Sequence, residues 1–389
     1  MLRSITVGID IGTQTTRVLV GEYGAQDGAP LIIGMGTAES RGMRHGYVAS
    51  KLEVQKSLRK ALDEAERSSK IKVRRAFVSV GGLSLDSLLS SGMAVIGKAD
   101  GEVTELDIKK ALDESEAALG GMQNRHILHA VPVRWKLDGK EVWGQPVGMK
   151  GLKLEVKTLF ITCLEKHLQD MIDAIEETGV EVTDVVAAPI AASLVSLTKR
   201  QKTAGCVLVN IGAETVSMVV YENDTPTFLH VFPIGGTDIT HDIALGLKIP
   251  LEEAEGIKTG TLHPGSYPRK KLDEIIEARL TDIFELVENY LKKIGRSGLL
   301  PAGIILTGGS AQLGIVEALA KETLRLPSRV TTPDLLQNSK GKIKDAAWAV
   351  CYGLLMLSNT LSQEEEGMFK GLWKKATSLL NTSLKELLP

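Results

Sequence analysis

Two glycine turns carry the residues best suited to chemistry. The first is Ile9-Asp10-Ile11-Gly12-Thr13-Gln14-Thr15, and the second, about 200 residues later, is Val209-Asn210-Ile211-Gly212-Ala213-Glu214-Thr215. A strand ending in Asp-Ile-Gly-Thr aims a carboxylate at the turn, then supplies a residue without Cβ, then a hydroxyl. That order lets backbone N–H groups close on phosphate oxygens while Asp10 holds a magnesium ion through water. Two such hairpins facing each other would clamp a nucleotide. Taken singly, either is equally well explained as a buried turn with a satisfied polar side chain; the duplication gives the pattern its specificity. A third turn, Gly308-Gly309-Ser310, follows an apolar run at 303–307 and permits close backbone approach to a base or ribose. An ordinary strand-to-helix turn has the same pattern.

The elements that must position these turns repeat as well. Each hairpin reads as strand, glycine turn, strand, turn, strand: Val18-Leu19-Val20 and Pro30-Leu31-Ile32-Ile33 follow the first, Met218-Val219-Val220 and Pro226-Thr227-Phe228-Leu229 the second. Further β runs at 76–80, 131–135, 158–162 and 303–307 alternate with helical patterns at 52–65 and 168–177, which defines an α/β chain. Residues 83–163 interrupt the first half with Gly-rich loops, strands and a helix at 105–118, so they are expected to form an inserted subdomain. From 272 to 293 the positions Ile275, Ile276, Leu280, Ile283, Phe284, Val287 and Leu291 recur at helical spacing. The Ala- and Leu-rich stretch 345–357 reads as a core helix.

Composition bounds the answer. At 389 residues the chain is long enough for two domains or one two-lobed unit. With 43% apolar and 24% charged residues and a formal net charge of −2, it is globular, and nothing pulls it toward nucleic acid. Cys163, Cys206 and Cys351 are odd in number, far apart and set in apolar stretches, as buried free thiols of a reducing compartment are. A strand pattern lies where a secretory signal would need its apolar region, and no run of about 18 apolar residues could span a bilayer. His126 and His129 border a β run without another ligand at metal spacing, so no metal site is read there.

The tail differs in kind. Ser362-Gln363-Glu364-Glu365-Glu366-Gly367 is polar and acidic, and a linker is expected over 361–367. Beyond it, Phe369, Leu372, Trp373, Ala376, Leu379, Leu380, Leu384, Leu387 and Leu388 fall at steps of three and four, with Lys370, Lys374, Lys375 and Lys385 between them. Such a helix over 368–389, roughly 30 Å long at ~1.5 Å per residue, suits the plane of a membrane interface, with Trp373 at headgroup level. A terminal helix docked on the body is the alternative.

The three glycine turns, in this order, resemble the phosphate-1, phosphate-2 and adenosine motifs of the actin superfamily, which includes sugar kinases, DnaK-type chaperones and bacterial actins. Within it the chain is similar to the FtsA family of bacterial cell-division proteins. That likeness lies in Arg41-Gly42-Met43-Arg44-His45-Gly46, Val80-Gly81-Gly82, Asp138-Gly139, Pro146-Val147-Gly148-Met149, Ala254-Glu255-Gly256-Ile257-Lys258 and Ile275-Ile276-Glu277-Ala278-Arg279. The resemblance implies an actin-like two-lobed ATPase fold, a duplicated ribonuclease-H-like core, with an FtsA-type insert and a C-terminal amphipathic helix. Subdomain 1A would take 1–82, 164–200 and 345–360, the insert 1C 83–163, subdomain 2A 201–235 and 303–344, and subdomain 2B 236–302.

The resemblance also implies ATP and Mg2+ as ligands, and polymerisation on the cytoplasmic membrane at the division site. Its partners would be the FtsZ C-terminal peptide, further copies of itself, lipids and other divisome proteins. By motif, Asp10, Gly12, Thr13, Gln14 and Thr15 would meet phosphates and magnesium. Gly212, Ala213, Glu214 and Thr215 form the second hairpin, and Gly235 and Gly236 join the nucleotide-binding set. Glu255 and Lys258 would flank adenosine, with Gly308, Gly309 and Ser310 opposite. Arg279, Lys292 and Lys293 are candidates to receive an acidic FtsZ tail, and Phe369, Leu372, Trp373, Leu379, Leu380 and Leu384 to enter the membrane.

Two positions depart from the family pattern. Thr15 stands where many FtsA-like sequences have lysine, leaving Arg17 as the nearest cation. Asn210 stands where the superfamily usually has Asp, and a neutral amide can neither deprotonate water nor add negative charge around magnesium. ATP binding survives that change; hydrolysis is expected to be slow or absent, and no catalytic residue is assigned. The competing readings are a PilM-like ATP-binding assembly adaptor and a small-molecule kinase. The kinase would need a catalytic Asp and a substrate pocket in place of the insert.

Overall fold

The computed structural model describes residues 4–24, 29–262, 268–331 and 345–363. Strands β1 (Ser4–Ile11), β2 (Thr15–Tyr23) and β3 (Leu31–Glu39) form an antiparallel meander. On β1 the alternation buries Val7, Ile9 and Ile11 on one face and leaves Gly8 and Asp10 on the other. A small ribbon, β4 (Met43–Arg44) with β5 (Tyr47–Val48), leads to α1 (Lys51–Ser69), which buries Val54, Leu58, Ala61, Leu62 and Ala65 at helical spacing. Strand β6 (Arg75–Val80) then joins β1 in parallel.

The insert follows as β7 (Asp86–Val95), α2 (Glu105–Ala117), β8 (Arg125–Leu137), β9 (Lys140–Val142) and β10 (Lys153–Leu164). Its strands form an antiparallel sheet of order β7-β10-β8-β9. Helix α2 starts with a Thr104–Asp107 capping box and buries Ile108, Ala111 and Leu112 against one face of the sheet, in a small core with Ala94, Trp135, Leu154 and Val156. The ends of β8 and β10 nearer the body do something else: Leu128, Leu159, Ile161 and Cys163 pack into the core of the first lobe. The chain returns through α3 (Glu165–Glu176), β11 (Glu181–Ala187), α4 (Ala188–Ser196) and α5 (Lys199–Ala204), and β11 completes a sheet of order β11-β6-β1-β2-β3.

The second lobe repeats the plan. Strands β12 (Cys206–Ile211), β13 (Val216–Glu222) and β14 (Thr225–Phe232) form the meander, followed by α6 (Gly236–Leu247), α7 (Leu251–Lys258) and α8 (Arg269–Lys293). Then come β15 (Ile304–Thr307), a 3-10 turn (Gly309–Gln312), α9 (Val316–Leu324) and β16 (Ser328–Val330), giving the order β14-β13-β12-β15-β16. In both sheets a meander continues into two parallel strands. One face of the second sheet (Val207, Val209, Met218, Val220) packs under α8 and α9, and the other (Leu208, Val219, Tyr221, Leu229) shares the first lobe's core with Ile190, Ala191 and Val195 of α4.

The last described element, α10 (Ala349–Gln363), crosses back to the first lobe and packs on α4, β1, β2 and β6. Cys351 Sγ lies 2.9 Å from Gly8 O, and Tyr23 OH donates to Leu355 O at 2.7 Å. The helix continues through Ser362 and Gln363, so the expected linker from 361 begins no earlier than 364; neither residue is a helix breaker. The expected amphipathic helix at 368–389, with Phe369, Leu372, Trp373, Leu379, Leu380 and Leu384, lies outside the described residues. Cys163, Cys206 and Cys351 are buried and free, and no helix among the described residues is long and apolar enough to cross a membrane.

Candidate nucleotide site

The two hairpins close in the same way. Gly12 N donates to Thr15 O at 3.2 Å and Gly212 N to Thr215 O at 2.9 Å. A Cβ added to either glycine would stand 2.9 Å from that threonine oxygen, so both turns demand glycine. Asp10 pairs with Arg17 across β1 and β2, and Asn210 with Ser217 across β12 and β13; each is the penultimate residue of its strand. Both line one cavity of about 150 Å³ between the lobes, together with Gly12, Thr13, Gln14, Thr15, Gly212, Ala213, Thr215, Gly308 and Gly309. Small-molecule pockets usually run to about 300–1,000 Å³, so this volume suits the phosphate end of a nucleotide.

Among the described residues Asp10 is the one acid lining the cavity. Burial raises its pKa, opposed by the Ser79 hydroxyl, which donates to Oδ1 at 2.6 Å, and by the charge of Arg17. Arg17 also lines the cavity, its guanidinium 5.8 Å from the centre of the Trp348 ring, so the cation nearest the first hairpin does reach the site. The third glycine turn docks on the second strand: Gly308 has φ +94°, and a side chain there would run into Asn210 Oδ1. Gly46, Gly81 and Gly82 line the cavity as well. Sequence reasoning missed them as site residues, although the Gly81-Gly82 pair straight after a strand was the available signal.

Six candidates stand back from the cavity. Gly235 and Gly236 bring the start of α6 onto the second hairpin, with Gly236 N donating to Gly212 O at 2.9 Å and Thr237 N to Ala213 O at 2.7 Å. A side chain on Gly235 would strike the backbone at Ala213 O, so packing alone requires that glycine, and one on Gly236 would have to turn the Ser310 hydroxyl aside. Lys258 Nζ lies 2.6 Å from Glu255 Oε2 and donates to Gly236 O at 2.9 Å and Thr240 Oγ1 at 2.8 Å. Gln14 Nε2 donates to Glu255 Oε1 at 3.1 Å, which joins the first hairpin to α7 across the cleft. Burial acts to raise the Glu255 pKa, but hydrogen bonds from Lys258, Thr240 and Gln14 hold it below the usual carboxylate range. The Glu214 carboxylate turns to the first lobe, where it accepts from His45 N.

The remaining candidates are elsewhere. Arg279 is held by Asp242, at 2.6 and 3.1 Å, and by Asp282 at 3.3 Å. Lys292 lies 3.6 Å from Glu288, and Lys293 sits 5.8 Å from the centre of the Tyr290 ring. His129 is buried, and its Nε2 accepts from Ala187 N at 3.0 Å, which is a structural task.

Two lobes with one sheet order, matched glycine hairpins and a shared cavity define an actin-like ATPase fold. Solved structures agree: a chain of the PilM-PilN type IV pilus biogenesis complex superposes with a TM-score of 0.68 at 17% identity, covering 92% of this chain and 99% of that one. MreB5 of Spiroplasma citri bound to ADP gives a TM-score of 0.54 at 12% identity, covering 93% and 99%. At these identities the likeness speaks for the fold alone.

In sequence the chain belongs to the FtsA family of cell-division proteins. It is 31% identical over 383 residues to cell division protein FtsA of Pseudomonas aeruginosa, covering 93% of this chain and 90% of the relative. It is 30% identical over 373 residues to that of Bacillus subtilis, covering 90% and 83%. The family profile for cell division protein FtsA matches residues 207–353, and that for the SHS2 domain inserted in FtsA matches 82–162, the stretch that forms the inserted sheet.

Proposed function

We propose that this protein is an ATP-binding, polymerising actin homologue that tethers FtsZ filaments to the inner face of the cytoplasmic membrane at the division site. The observation that carries the nucleotide part is the pair of glycine hairpins closing on one cavity with a single carboxylate, Asp10. Phosphates enter between the Gly12 and Gly212 turns, where backbone N–H groups and the hydroxyls of Thr13, Thr15 and Thr215 meet them. Magnesium, which retains several waters and takes few protein ligands, fits one carboxylate with phosphates completing its shell. Bound there it neutralises phosphate charge. Arg17 adds a cation in place of the family's lysine.

Glu255, Lys258, Gly308, Gly309 and Ser310 are the proposed adenosine surround; a ribose reaching Glu255 has to displace Gln14 from Oε1. With Asn210 in place of a second acid, the one carboxylate in the cavity, Asp10, is taken up by magnesium and no further acid is left to accept a proton from water, so turnover is slow. Because Arg279 is committed to Asp242, Lys292 and Lys293 are the freer cations for an acidic FtsZ tail. The lysine-studded helix expected at 368–389 supplies the membrane contact, weak per subunit and strengthened by assembly.

The test is titration of the full chain with a fluorescent ATP analogue and magnesium, followed by cosedimentation with anionic vesicles, with and without an FtsZ tail peptide. Saturable binding that weakens at least about ten-fold in Asp10→Ala, and pelleting that needs vesicles and recruits the peptide, support the reading. A wild-type chain that binds no nucleotide, or that ignores vesicles, overturns the corresponding half.

A further inference from the structure

We propose that Glu214 is a positioning residue that ties the nucleotide cleft to the root of the insert, a role that rests on the nucleotide reading given above. Glu214 stands between Ala213 and Thr215, both of which line the cavity. Its own carboxylate leaves the cavity and crosses to the other lobe. There Oε2 accepts from His45 N, while His45 Nδ1 lies 3.3 Å from Glu214 O and 3.9 Å from the carboxylate. The Glu214 side chain is only 24% exposed, so the bond is partly sheltered from water, and a hydrogen bond to a charged acceptor is stronger there than at the surface.

What Glu214 holds is a constrained loop. His45 has φ +48° and Gly46 φ +84°, and a histidine in the left-handed region persists only where its surroundings fix it. Gly46 lines the cavity and lies backbone to backbone against Gly82, so closely that a side chain on either would collide with the other segment. Leu83 N donates to His45 O at 3.2 Å. Gly82, Leu83 and Ser84 are where the chain enters the insert. From Ser84 the contacts continue: its hydroxyl is bonded to His167, and its carbonyl accepts from Arg125 Nη2 at 2.9 Å. Arg125 Nε in turn donates to Thr162 Oγ1 at 2.9 Å. Arg125 opens β8 and Thr162 lies on β10, the two central strands of the inserted sheet.

A continuous run of backbone contacts and hydrogen bonds therefore leads from the second hairpin through His45 and Gly82 to the body-facing ends of the insert's two central strands. When phosphates draw the second hairpin toward the first, Glu214 carries the His45 loop with it, and the root of the insert must follow. Occupancy of the cleft is thereby felt at the insert without any ligand contact from Glu214.

Hydrogen exchange on the full chain tests this, with a thermal melt on each variant. Without nucleotide, Glu214→Ala should speed exchange at residues 82–86 about ten-fold, and Glu214→Gln, whose amide oxygen still accepts from His45 N, should stay near wild type. With ATP and magnesium, wild type and Glu214→Gln should show added protection at 82–86. Glu214→Ala should lose most of that protection while binding a fluorescent ATP analogue within about three-fold of wild type. Unchanged exchange in Glu214→Ala overturns the proposal, as does a nucleotide affinity that collapses in both variants, which would make Glu214 a direct ligand contact. If wild type binds no nucleotide, the nucleotide reading fails and the coupling with it, while the first arm still reads whether Glu214 holds the loop.

Discussion

Asp10 and Asn210 hold one position in two copies of one hairpin, and only one of them is an acid. If the missing carboxylate limits the reaction, Asn210→Asp should raise ATP turnover by about 100-fold, the lower end of what a placed proton acceptor supplies, with little change in nucleotide affinity. A phosphate-release assay reads this, and an unchanged rate would mean that the cleft lacks more than the acid. His129 makes a separate prediction. Burial pushes its pKa down to about 3, and protonation would also cost the bond that Nε2 accepts from Ala187 N. A histidine that stays neutral when folded and titrates near 6.5 when unfolded favours the native state above that pH and loses the advantage as pH falls toward 3. By pH 5 the loss is about 2 kcal/mol. Urea midpoints measured from pH 7.5 to 4.5 should fall accordingly, and less steeply in His129→Gln. Asp10, Gly12 and Gly212 were legible in the sequence because their chemistry is local to a turn. The partners of Glu214 and Gln14 were not, because His45 lies 169 residues from the one and Glu255 241 from the other.

The insert serves two cores at once. Its distal half packs on α2, while Leu128, Leu159 and Ile161 of β8 and β10 belong to the first lobe. The β runs read at 131–135 and 158–162 fall within β8 and β10, and the helix read at 105–118 matches α2 to within one residue, but a strand's pattern is the same whichever core it feeds, so the boundary read at 83 and 163 carries no information about separability. Excising 83–163 should therefore unfold the first lobe, since several buried side chains leave its core together. The distal surface can be changed more cleanly. Eight of the fifteen large apolar side chains exposed among the described residues are on the insert, and Trp143 and Leu152 are each 76% exposed. Exposed apolar side chains in that number suit a contact surface, and in the filament proposed above subunit assembly is the contact it would serve. Trp143→Ser with Leu152→Ser should leave nucleotide affinity unchanged and the melting temperature within about 3 °C, while light scattering reports weaker ATP-dependent assembly. Full assembly in that variant would remove the insert from the filament contact.

Across the whole molecule, Gln14–Glu255 and His45–Glu214 each join elements of different lobes over the cleft, while beneath it Leu208, Val219, Tyr221 and Leu229 of the second sheet stay packed in the first lobe's core. The tail expected at 368–389 follows α10, whose Leu354 and Leu355 are fully buried. Removing 368–389 should thus abolish flotation with anionic vesicles and leave the melting temperature intact, and Trp373→Glu should act likewise. Salt should weaken wild-type flotation through the lysines without eliminating it. A truncated chain that still floats, or that melts early, would mean the tail is a docked core helix. The return of α10 to the first lobe has a consequence for synthesis. The sheet begun by Ser4 lacks its cover until residues 349–363 are made, and its closing bonds, Cys351 to Gly8 and Leu355 to Tyr23, span 343 and 332 residues. At roughly 5–20 residues per second, the nascent first lobe waits on the order of tens of seconds with an apolar face open. A ribosome-bound chain arrested before residue 349 should be cut by protease within β1, β2 and β6, and one extended far enough for residues 349–363 to leave the ribosome should resist. Any segment beyond residue 363 then leaves the ribosome only after the part that finishes the fold.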